Sequence, residues 1–105
     1  MNFDVLIYCE TTEHCPYCNE YLGTKIRYLE TSKSSKWEDF LYDIGYYTGD
    51  DERNCEGEHR PLDGAQCAHL VEWLADNKPQ HWDAIRACVQ LAAHNDLNVY
   101  IRATW

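Results

Sequence analysis

The sequence predicts a small α+β domain, a three-stranded sheet with three helices packed on one face, in the element order ββαααβ. Three observations carry this prediction. Apolar residues alternate at both ends of the chain, a second strand-like run lies close to the first, and three stretches between them repeat apolar residues at helical spacing. At 105 residues, with 45% hydrophobic and 13% aromatic residues, the chain is expected to fold as one domain spanning residues 1–105.

Each element has its own signal. Phe3, Val5, Ile7 and Cys9 alternate with Asp4, Leu6 and Tyr8, the period of a first strand. A polar stretch from Glu10 to Asn19 follows, and Thr24 to Glu30 reads as a second strand, which makes the intervening segment the tip of a hairpin. Ser35-Lys36-Trp37-Glu38 fits a capping box, and Trp37, Phe40, Leu41, Ile44 and Tyr47 recur at helical spacing up to Gly49. No periodicity is visible from Thr48 to Leu62. Asp63 to Asn77 then carries Cys67, Leu70, Val71 and Leu74 as a second helix. Asn77-Lys78-Pro79 reads as the cap and first turn of a third, with Trp82, Ile85, Cys88, Val89 and Ala92 inward and an end near Asn95. The tail from Val99 to Trp105 alternates again, and pairing beside the first strand is its simplest way to be ordered.

Composition narrows the function. The formal charge of −9 opposes direct nucleic-acid binding, which relies on Lys and Arg to neutralise phosphates. Lys25, Arg27, Lys33 and Lys36 form only a small local basic cluster. The amino terminus lacks a basic segment followed by an apolar one, and no stretch is long and apolar enough to span a bilayer. A cytoplasmic protein without membrane partners is expected, its six cysteines mostly reduced. There is no Gly-rich phosphate loop, no G-x-S-x-G and no H-E-x-x-H, so the chain leans away from enzymes.

The sharpest motif is His14-Cys15-Pro16-Tyr17-Cys18. Thiols at this spacing can close on one metal ion or on each other. The strand Val5-Leu6-Ile7-Tyr8 followed by Cys15-Pro16-Tyr17-Cys18 resembles the start of glutaredoxins. That resemblance implies Cys15 as an attacking thiolate and Cys18 as the resolving thiol, with a helix beginning at the motif. A strand-like run stands there instead. The same turn also resembles the knuckle of zinc ribbons. A structural zinc would need two further ligands, which Cys55 and His59 supply from a long aperiodic loop that requires an anchor. The expected set is Cys15, Cys18, Cys55 and His59, with His14, Cys9, Cys67 and His69 as substitutes. The bland reading is free thiols, with Cys67 and Cys88 filling helix faces. His81 and His94 are assigned no role.

The outer face of the first helix is the third feature. With Trp37, Phe40, Leu41 and Ile44 inward, Glu38, Asp39, Tyr42, Asp43 and Tyr46 are expected outward, and Asp50, Asp51 and Glu52 extend the acidic run. Tyrosines interleaved with carboxylates suit docking on a basic protein surface, such as that of a nucleic-acid-binding enzyme, although a merely solvated helix face shows the same pattern. In size and charge the chain resembles phage-type inhibitors of the anti-CRISPR and antirestriction class. The expectation is therefore a small acidic protein-binding module with a zinc clip. A glutaredoxin-like oxidoreductase and a structural component of a larger assembly are the alternatives.

Overall fold

A computed structural model of the chain describes residues 2–49 and 54–105. The elements run β1 (Phe3–His14), β2 (Tyr21–Ser34), α1 (Trp37–Asp43), β3 (Arg60–Leu62), α2 (Gly64–Asn77), α3 (Trp82–His94) and β4 (Asn98–Thr104). Among the described residues the α+β class with three helices matches the expectation, but the sheet has four strands in the order β2-β1-β4-β3, all antiparallel. The order ββαααβ is therefore corrected to ββαβααβ. The added strand, Arg60-Pro61-Leu62, is too short to alternate and contains a proline, which a sheet accepts only where its missing N–H is not needed. It sits at the sheet edge, where that condition holds.

The hydrophobic period places the core. Phe3, Val5, Ile7 and Cys9 of β1 and Val99, Ile101 and Ala103 of β4 are buried together with Trp37, Phe40 and Leu41 of α1, Leu70, Trp73 and Leu74 of α2, and Ile85, Cys88, Val89 and Ala92 of α3. Trp37 lies at its centre, 4.5 Å from the Trp73 ring and 5.9 Å from Phe40 between centroids. Its Nε1–H donates to Ser32 Oγ at 3.0 Å, and that hydroxyl in turn donates to the Gln80 carbonyl. One buried hydroxyl thus links the edge strand, α1 and the α2–α3 connection. Cys9 and Cys88 are within hydrogen-bond reach of each other, and burial pushes the Cys88 thiol up to about 12 from the ordinary 9.0.

Helix boundaries depart from the expected caps where local geometry overrides them. α1 begins after Lys36 with no side-chain cap, because the Lys36 amide takes Ser34 Oγ and no capping box forms with Ser35. α2 has its full capping box, Asp63 with Gln66. Pro79 lies in the α2–α3 turn and not in α3, since Lys78 and His81 both take left-handed backbone on either side of it and the Trp82 amide bonds the Pro79 carbonyl. No helix among the described residues is long and apolar enough to cross a membrane.

α1 stops early. Gly45, at φ +76°, turns the chain so that the Tyr46 and Tyr47 amides both bond the Leu41 carbonyl, and the helical face read from Trp37 does not extend to Tyr46. Tyr46 is buried, not outward. Its hydroxyl donates to the Glu58 carbonyl at 2.6 Å and accepts from the Ala103 amide at 2.9 Å. Together with Gly57 N–H donating to the Ala103 carbonyl at 2.9 Å, it ties the long loop to the end of β4.

Ser32→Ala leaves both the Trp37 indole N–H and the Gln80 carbonyl without their partner. The expected loss is about 1–3 kcal/mol of stability in urea denaturation, against about 0.5 kcal/mol or less for the exposed Thr24→Ala. The buried thiols also set a pH limit. Cys88 ionises near 9.0 when unfolded and only near 12 when folded, so stability is intact below pH 9 and falls as pH rises from 9 toward 12. Thermal melts across that window should show the decline, flattened in Cys88→Ala.

Candidate functional site

Two regions carry chemistry-bearing side chains outside the core. The first follows from a difference in strand length. β4 pairs with β1 only from Asp4 to Glu10, whereas the β1–β2 ladder continues through Thr11↔Lys25, Thr12↔Thr24, Glu13↔Gly23 and His14↔Tyr21. Beyond Glu10 the hairpin is a two-stranded ribbon that leaves the body of the protein. Its side chains are largely exposed on both faces, and Tyr17 at the tip is 97% exposed.

The tip is a defined turn. The Cys15 amide donates to the Glu20 carbonyl and the Asn19 amide to the Cys15 carbonyl, both at 2.8 Å. Asn19 takes left-handed backbone at φ +59°, a conformation asparagine tolerates better than most residues. This closure turns the backbone amides of Cys18 and Tyr17 toward the Cys15 sulfur and brings the Cys18 thiol beside it. These amides, that of Cys18 foremost, hold the Cys15 thiol below its ordinary range. A half-exposed, amide-stabilised thiolate with a second, exposed thiol next to it is equipped to ligate a soft metal or to form a disulfide. The motif stands at a hairpin tip and not at a helix amino terminus, and no peptide bond among the described residues is cis. The helix implied by the glutaredoxin resemblance is replaced by β2.

The other expected zinc ligands lie elsewhere. Cys55 is buried in the core, its amide donating to the Tyr46 carbonyl. His59 lies against Tyr8, whose hydroxyl bonds its Nδ1 on the sheet face away from Cys9. Extended strand covers about 3.3 Å per residue, so Tyr8 and Cys15 are separated by roughly 20 Å along β1. The four residues therefore do not converge in this structure, and among the described residues Tyr46 ties the loop to β4. Among the substitutes, Cys9 and Cys67 belong to the core region, His69 pairs with Asp43 at 3.2 Å, and His14 stands on the arm with its ring 6.0 Å from Tyr21. No three metal-ligating side chains converge among the described residues.

The second region is the exposed side of α1. Glu38, Asp39, Tyr42 and Asp43 are all exposed there, Tyr42 at 62%. Tyr46 is absent from this face, and Asp50, Asp51 and Glu52 lie outside the described residues. Sequence reading missed a further feature. Tyr21, Leu22, Ile26 and Leu29 are exposed on β2, the unpaired edge of the sheet. The one available signal was the charge spread through that run, Lys25, Arg27, Glu30 and Lys33, which no inward-facing strand would carry.

No protein-family model, curated protein or solved structure matches the chain.

Thiol environment predicts reactivity. In the folded protein Cys15 and Cys18 should be alkylated by iodoacetamide far faster than Cys9, Cys55, Cys67 and Cys88, all of which burial pushes up. Cys15 keeps its thiolate to lower pH than a free thiol, so its rate should persist to lower pH than that of free cysteine, measured by mass-spectrometric peptide mapping.

Proposed function

We propose that this protein is a small acidic protein-binding module, acting in the cytoplasm, that docks on a basic, nucleic-acid-binding surface of its partner in the manner of anti-CRISPR and antirestriction inhibitors. The observation that carries the reading is the exposed face of α1, where Tyr42 stands among Glu38, Asp39 and Asp43. Tyrosine supplies rigid amphipathic area, and surrounding carboxylates both steer toward a cationic surface and occupy positions that phosphates would take. A formal charge of −9 on 105 residues adds long-range attraction that salt should weaken.

A second reading is supported by the tip dithiol. An amide-stabilised Cys15 thiolate beside Cys18 is the arrangement a thiol-disulfide oxidoreductase requires, and its mark would be glutathione-dependent disulfide reduction that Cys15→Ser abolishes.

The inhibitor reading is tested by adding the protein to a panel of CRISPR and restriction nucleases and following DNA cleavage. Inhibition of at least one enzyme is expected, weakened by raised salt. The Glu38→Lys, Asp39→Lys and Asp43→Lys triple variant should lose it by about 100-fold or more while keeping the parent melting transition, since each rim charge pair at a docked surface is worth on the order of 1 kcal/mol. Undiminished inhibition by that variant would place the contact on another face.

A further inference from the structure

We infer that the Cys15-Pro16-Tyr17-Cys18 tip is half of a zinc site, completed by the same tip of a second copy of this chain, so that one zinc ion joins two protein molecules arm to arm. The donor set comes first. A structural zinc site takes four ligands in tetrahedral geometry, and soft thiolates are among its preferred donors. Cys15 and Cys18 are held side by side by the closed turn, with backbone amides directed at the Cys15 sulfur. Amide donors of this kind offset the negative charge of thiolates gathered around one ion. No third ligand converges with them among the described residues, and Cys55 and His59 are held at the body by Tyr46 and Tyr8. The tip supplies two donors and presents them to solvent.

Geometry then selects the second copy. The ribbon continues past the last β4 pairing by about four residues and a turn, a projection of roughly 15 Å. Two tips meeting at one ion would hold the bodies roughly 30 Å apart, several times the screening length of about 8 Å at physiological salt. Two chains each carrying −9 can therefore join at the tips while their main acidic surfaces stay screened from each other. The ribbon also gains from the contact. A two-stranded hairpin without a covering layer is marginal in water, and tip-to-tip ligation would fix its register and cover part of the exposed Tyr17 and Tyr21 rings. The inference does not rest on the acidic face of α1.

The test is titration of the reduced, metal-free protein with cobalt(II) and zinc(II), read by absorption and by light scattering after size exclusion. Expected are thiolate-to-cobalt charge-transfer bands that zinc bleaches, saturation at about one ion per two chains, and a doubling of mass that a chelator reverses. Cys15→Ser and Cys18→Ser, at half-buried and exposed positions of the turn respectively and both outside the core, should abolish the bands and the doubling without shifting the melting transition. His14→Ala should change neither. Saturation at one ion per monomeric chain would overturn the inference, as would loss of metal in His14→Ala, the absence of metal binding, or metal-independent dimers.

Discussion

The architecture depends on an inequality between neighbouring strands. β1 has 12 residues and β4 has 7, so the sheet can cover β1 on both edges only as far as Glu10. The covered part has the period of a core strand, and its inward side chains organise all three helices. Among the described residues the uncovered part has no helix above it and no third strand beside it, and β2 is the strand that satisfies its backbone. The elongation of the molecule, 49 × 31 × 21 Å, and its radius of gyration of 14.7 Å express this surplus. A compact chain of this length would have a radius near 13 Å.

The same constraint sorts the cysteines. Cys9 and Cys88 sit where the sheet meets α3, and losing water there favours the neutral thiol of each. Cys15 and Cys18 sit on the turn beyond the covered sheet, and its amides favour the Cys15 thiolate instead. Residue type alone does not separate these groups. For those along β1 and its turn Glu10 separates them, with Cys9 on the covered side and Cys15 and Cys18 beyond it, while Cys88 is buried on the inner face of α3.

This also explains how far the sequence could be read. β4 and the second and third helices repeat their period over enough residues to be legible. β3 is three residues with a proline and carries no period at all. Tyr46 leaves the helical face that the spacing from Trp37 predicts because the left-handed backbone of Gly45 ends that face before it. The loop after it looked in need of a metal anchor for a related reason. Among the described residues it is tied down by a tyrosine hydroxyl meeting a backbone 57 residues away, a pairing that no local pattern encodes. The cysteine motif itself was legible, while the distance of Cys55 and His59 from it depended on how long β1 would prove to be.

An exposed edge strand invites pairing with other chains, and β2 shows both the hazard and its control. Ile26 and Leu29 pair with Glu10 and Tyr8 across the ladder, and a bulge at Arg27 puts both on the sheet face away from the helices. Lys25, Arg27 and Lys33 are set along the same edge, where a second copy pairing strand to strand would bring like charges together. The bulge adds a local twist that a flat partner strand could not follow. The body is thereby discouraged from open-ended sheet growth, while the tip, lying beyond these charges, keeps a contact that a single ion saturates. Association limited by coordination number, and not by sheet edges, is what such a division of the hairpin permits.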